Sequence, residues 1–237
     1  MTKMFTVALV GPDGAGKSTI GQKLEQISPL PVKYIYMGVN LESSNMVLPT
    51  TRLWLEVKRA RGQRPDITTR PRQTYYPNKD RKSFGKKIAA SIKAFLRLAS
   101  LTVEEWFRQI VIWSYNLRGY LVILDRHFYF DYYAHDVAND NPNRSLTSKI
   151  HGFMLQKFYP KPDFVIFLDA PAEILYARKP EGTIQAREDR RQEYMKLRNL
   201  VKHYAVVDVS RPEEESTQEV CKLIMNYYSS RSHYGLA

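Results

Sequence analysis

The sequence predicts an α/β fold of three layers, with helices covering both faces of a five-stranded parallel sheet. Short apolar runs at residues 4–10, 32–37, 120–124, 164–168 and 205–209 are separated by longer stretches of helical character. Continuous apolar strands that alternate with helices mark a parallel sheet buried on both faces. The first run leads into Gly11-Pro12-Asp13-Gly14-Ala15-Gly16-Lys17-Ser18-Thr19, which fits the phosphate-binding spacing G-x-x-x-x-G-K-[ST]. The length of 237 residues and the 43% hydrophobic content suit one sizeable domain carrying an insertion.

Residues 4–10 read as a buried strand and residues 17–27 as the helix that follows the loop. A glycine-rich turn between strand and helix aims backbone N–H groups at one point, where the helix N-terminus adds a positive dipole. Gly11, Asp13, Gly14, Ala15, Gly16, Lys17, Ser18 and Thr19 are therefore the candidate nucleotide-binding residues. Lys17 can reach terminal phosphates, and Ser18 can ligate Mg²⁺. With five strands, the whole reads as a single P-loop kinase-like domain over residues 1–237.

The interval between the second and third strands holds a helical and basic insertion, at about 40–100. Residues 50–61 form an amphipathic helix on this reading. Residues 62–85, with Pro65, Pro71 and Pro77, read as a loop. Two helices are expected next, at 86–100 and 102–118, the second stopping before Gly119. Their apolar residues, among them Ile92, Leu96, Trp106, Ile110 and Trp113, recur at helical spacing and suit core packing or a dimer interface.

The third strand ends in Asp125-Arg126. An acid at that end of a strand can meet Mg²⁺ or its water beside the loop, so Ser18 and Asp125 are the candidate metal ligands. Arg126 is placed to touch a phosphate. Asp169-Ala170-Pro171 opens the helix after the fourth strand, with Asp169 expected as its N-cap. The charged stretch 178–191 around Gly182 suits a lid that closes over phosphates. His127 and His135 lie in an aromatic stretch and are read as packing or acceptor-contact residues.

Composition narrows the functional classes. No apolar run is long enough to span a membrane, and the first residues lack the pattern of a signal peptide. Cys221 is the sole cysteine, expected on the buried face of a helix, so no intrachain disulfide or cysteine zinc cluster forms. A cytoplasmic location is expected. The formal net charge is +12, and residues 52–97 hold fourteen Lys and Arg against three Asp and Glu, a net +11. Such a region attracts phosphates, nucleic acid or acidic membrane; it also suits a cover over the site, or a solvated surface.

The chain resembles the thymidylate kinase-like branch of P-loop nucleoside monophosphate kinases. The likeness rests on the loop at 11–19, Asp125-Arg126, Leu168-Asp169-Ala170-Pro171 with its helix, the basic segment from Arg178 and the loop 208–212. It implies an ATP- and Mg²⁺-dependent kinase of a phosphate-bearing small molecule, often a homodimer. By the same likeness Lys17, Arg126 and Arg178 are catalytic, Ser210 and Arg211 lie in the adenine loop, and Asp13, Arg108 and Arg126 face the acceptor; His127 joins them as an acceptor contact only on the reading of its own aromatic stretch. The acceptor half departs from the family pattern: Tyr36-Met37-Gly38-Val39-Asn40 stands where an arginine–acid–proline–glycine passage is usual, and 127–135 is aromatic. A same-fold kinase of a sugar or lipid-linked acceptor, or an ATP-binding module engaging nucleic acid or membrane, is the alternative.

Overall fold

Strand β1 (Thr6–Val10) shows why the sheet lies in the middle: all its residues are buried. Their side chains alternate between two layers. Val7 and Leu9 pack with Ile20 and Leu24 of helix α1 (Lys17–Ile27) and with Val220 and Ile224 of helix α8 (Glu213–Tyr234). Ala8 and Val10 face the opposite layer, with Ile112 of the long helix α3 (Phe84–Leu117) and Leu155 of α5 (Leu146–Lys157). A strand buried on both faces has no polar side to show, so it reads as an unbroken apolar run.

These coordinates are a computed structural model describing residues 4–38, 44–62, 84–133 and 145–234. The other strands are β2 (Val32–Tyr36), β3 (Leu121–Asp125), β4 (Phe164–Asp169) and β5 (Tyr204–Asp208). The sheet has the order β2-β3-β1-β4-β5 with every pairing parallel. The chain leaves β1 toward β2 and leaves β4 toward β5, so the loops after these paired strands diverge. The crevice they leave at the carboxyl ends is where open α/β sheets bind ligands. Asn45 covers the outer edge of β2, accepting from Tyr36 N–H at 3.0 Å and donating to Tyr34 O at 2.9 Å.

The predicted strands all form, with ends shifted by a residue or two. Helix α2 (Pro49–Ala60) matches its expected place, whereas most of the expected loop 62–85 lies outside the described residues. The two helices expected at 86–100 and 102–118 are instead one, α3, of 34 residues. Ser100-Leu101-Thr102 contains neither Gly nor Pro, so nothing obliges the helix to stop there. Gly119, at φ 85°, ends it as expected. Short helix α4 (Phe128–Tyr132) follows β3, and α6 (Ala172–Arg178) and α7 (Ile184–Lys196) follow β4. Cys221 is half-buried on α8.

Candidate active site

The loop after β1 is shaped by glycines that no other residue replaces. Gly11 has φ 153°, and a Cβ there would lie 2.5 Å from Leu168 O. At Gly14, with φ 92°, a Cβ would run into Leu175 O. The loop is thus wedged against β4 and α6. Gly16, at φ 75°, occupies the N-cap position of α1, leaving the first-turn N–H groups without a side-chain cap. Those donors and the helix dipole face the crevice and suit an anion.

Lys17 is buried, and its Nζ donates to Gly11 O at 2.8 Å and Pro12 O at 2.7 Å. Burial pushes its ammonium down to about 7, helped by the neighbouring Arg126 charge and opposed by Asp13 and Asp125. Beside it Ser18 Oγ donates to Asp125 Oδ2, which also accepts the Tyr34 hydroxyl at 2.7 Å. Burial and the Asp125 charge raise the Tyr34 phenol, keeping it a donor. Asp125 Oδ1 is buried and has no partner among the described residues. A hydroxyl and a carboxylate with an unmet oxygen fit a hard, oxygen-seeking cation such as Mg²⁺.

Arg126 has φ 68°, a left-handed conformation rare outside glycine. The turn throws its guanidinium back over the loop, where it pairs with Asp13. Burial favours the neutral arginine, but Asp131 and Asp13 outweigh it and raise the group further. Burial likewise opposes the Asp13 carboxylate, yet Arg126 and Lys17 hold its carboxyl well below the usual range. Arg108 comes close from α3: its Nη1 donates to Gly38 O at 2.9 Å, and a Cβ on Gly38 would lie 2.6 Å from Arg126 Cδ. Burial lowers the Arg108 guanidinium, with Glu104 opposing, and its Nη2 is buried with no partner among the described residues.

The arginines of residues 178–191 divide their work. Arg187 of α7 donates to Asp13 O at 2.7 Å, and also to Lys179 O and Glu181 O, so it ties this segment to the loop after β1. Arg178, expected to be the catalytic lid arginine, instead donates to Val209 O at 2.7 Å, beside the loop holding Ser210 and Arg211. It is the last residue of α6, and its contact lies just beyond β5. Ser210 closes a turn on Asp208, and Arg211 pairs with Glu219, so both belong to the rim beyond β5. Arg190 meets Asp131 at 3.4 Å, and Arg191 grips Asp169 through both oxygens at 2.7 and 2.8 Å. Asp169 is therefore an arginine partner, and the N-cap position of α6 falls to Pro171.

His127 is the site residue that the structure sets apart. Its Nδ1 accepts the Tyr129 N–H at 3.2 Å, capping α4, and its ring packs on Phe128 and Phe130. Burial alone holds its pKa down at about 3, so it is neutral. The reversal at Arg126 is the cause, since consecutive side chains leave that turn in different directions. His135 lies outside the described residues. Tyr34, Asp131 and Arg187 were not singled out by sequence. Tyr34 looked like an ordinary strand residue, Asp131 sat in an aromatic run, and Arg187 was one charge in a charged stretch.

No protein-family model matches the chain. It is 28% identical over 166 residues to a probable thymidylate kinase of Archaeoglobus fulgidus, covering 63% of this chain and 78% of that protein. With probable thymidylate kinase 1 of Saccharolobus solfataricus it shares 32% identity over 110 residues, or 44% of this chain and 54% of that one. Among solved structures, the thymidylate kinase of Candida albicans superposes with a TM-score of 0.59 at 20% identity, over 95% of this chain and 92% of its own. That likeness shows the fold.

Proposed function

We propose that this chain, thymidylate kinase-like in sequence and in fold, is an ATP-dependent phosphotransferase acting on a nucleoside monophosphate. The observation that carries the reading is the meeting of Lys17, Ser18–Asp125 and Asp13–Arg126 at the carboxyl ends of β1 and β3. One half of this cluster suits a nucleotide triphosphate. The other places a guanidinium beside it for an acceptor phosphate.

On this reading Lys17 leaves the Gly11 and Pro12 carbonyls for the β- and γ-phosphates of ATP, and the loop amides hold them. Mg²⁺, held by Ser18 and Asp125, would neutralise phosphate charge. Arg126 exchanges Asp13 for the acceptor phosphate, and the unmet Arg108 Nη2 faces the acceptor half. Arg187, already in contact with the loop, adds positive charge as the γ-phosphoryl moves. Positioning and charge account for most of such a transfer, and no general base is required. Arg178, Ser210 and Arg211 border the adenine side.

The chain works as one domain, with residues 178–191 as lid and the basic insertion at its edge, in the cytoplasm. It pairs as a homodimer through α3, where Ile92, Leu96, Val103 and Ile110 stand exposed at spacings of four and seven residues. The departures around residues 36–38 and 127–133 favour a second reading, a phosphorylated sugar as acceptor. ADP release should be followed with each nucleoside monophosphate and with phosphorylated sugars. Strong selective turnover of one nucleoside monophosphate supports the proposal. ATP binding without transfer to any acceptor overturns it.

A further inference from the structure

On the α3 face of the sheet, reaching down to Thr6 and Asp163 at the amino ends of β1 and β4, lies a cavity of about 570 Å³ that phosphate transfer does not use. Its size falls within the roughly 300–1,000 Å³ of small-molecule sites. Ile112 and Trp113 of α3 and Leu124 of β3 give it apolar walls. Gln109, Asn116 and His127 interrupt them with polar groups. Gln109 is 5% exposed. Asn116 Oδ1 is buried and has no partner among the described residues. His127 is 2% exposed, and its Nδ1 already accepts the Tyr129 N–H. The proton of the neutral ring therefore sits on Nε2, a donor. A buried polar atom is seldom left unmet, and Asn116 Oδ1, with the polar groups of Gln109 and His127 beside it, points to an occupant.

We propose that this cavity is a second small-molecule site that takes a planar, uncharged heterocyclic ring of the nucleobase type. Such a ring offers a flat face to Trp113 and Ile112. Its edge can accept from His127 Nε2–H and donate to Asn116 Oδ1, while the Gln109 amide does either. Access lies past Lys161 and Arg231, which also line an adjoining hollow. Lys161 donates to Leu200 O and Arg231 pairs with Asp163, so a phosphate on the ligand would meet cations already engaged. Gln109 and His127 are the chain neighbours of Arg108 and Arg126, through which an occupant would be coupled to the acceptor half. That coupling rests on the kinase reading; the binding does not.

Equilibrium dialysis of the full chain against adenosine, guanosine, cytidine and thymidine, and against their 5′-monophosphates, tests the site without turnover. At least one nucleoside should bind saturably below about 10 mM. Asn116→Leu should weaken that binding about tenfold or more, because a buried hydrogen bond is lost. Arg126→Ala should leave it intact. Gln109→Met, close to isosteric, repeats the test should Asn116→Leu melt early. Equal binding of nucleoside and monophosphate means that the base alone is read; tighter, salt-sensitive monophosphate binding adds Lys161 and Arg231. Binding lost in Arg126→Ala but kept in Asn116→Leu belongs to the acceptor site and overturns the proposal. So does the absence of binding by every probe.

Discussion

Lys17 shows how one side chain sets a pH dependence. In the folded chain its pKa is about 7, whereas an exposed lysine has 10.5. Between those values the unfolded chain binds the extra proton, so the stability contributed by this group rises with pH across the window and is smallest below about 7. A triphosphate beside Lys17 restores the charge. Nucleotide binding at pH 8 should therefore take up a proton, read as a dependence of calorimetric heat on buffer ionisation enthalpy; Lys17→Met should abolish it. Lys17→Ala should cut turnover roughly 10²–10³-fold, the scale for losing a group that stabilises transition-state charge. Wild-type turnover at saturating ATP would overturn the site. Arg126 makes a different demand, since its φ of 68° is strained for any residue with a Cβ. Arg126→Gly and Arg126→Ala should both raise the acceptor KM, but the glycine form should be more stable by about 1 kcal/mol in urea unfolding. Equal stability would mean that the backbone relaxes once the guanidinium is gone.

At the scale of the elements, the sequence was readable wherever a signal is local. The apolar runs found the strands because parallel strands buried on both faces cannot alternate. The glycine spacing found the loop because Gly11 and Gly14 face carbonyls that exclude a Cβ. Contacts set by register were not readable. Tyr34 reaches Asp125 only because β2 lies beside β3 with Tyr36 opposite Asp125. Arg187 reaches Asp13 O only because α7 folds back across the crevice. Helix α3 was read as two because polar residues at 100 and 102 interrupt its apolar pattern, yet neither breaks a helix. Its unbroken length matters, since it carries the exposed apolar line from Ile92 to Ile110, with Leu96 63% and Ile110 57% exposed. Val103 lies within that line at 57% exposure, so a charge there reports on pairing rather than on the core. Val103→Glu should convert a dimer to monomer in sedimentation equilibrium while circular dichroism stays unchanged. A wild-type chain that sediments as a monomer at every concentration would overturn the pairing.

Across the whole molecule, charge and topology bring the insertion to the acceptor side. The net charge is +12, and residues 52–97 hold +11 of it. The start of α2 is tied to the site through one buried carboxylate. Glu104 accepts from Thr51 Oγ1 at 3.0 Å and from Leu48 N–H at 3.3 Å, and it also pairs with Arg108. Arg108 in turn holds Gly38 beside Arg126. The start of the basic segment is thus linked to Arg108 and, through Gly38, to Arg126, which on the kinase proposal favours a cover over the acceptor rather than a separate docking surface for a polyanion. Two measurements separate these uses. Replacing residues 63–83 with a short glycine–serine linker should lower acceptor turnover and leave ATP affinity unchanged. A short oligonucleotide should bind the intact chain weakly. A docking surface would instead bind it tightly, with affinity falling by about 0.9 in log–log slope per phosphate contact as salt rises. Tight, salt-steep binding together with full turnover after the replacement would assign the charge to a polyanion and leave the acceptor site to Arg108, Arg126 and the lid.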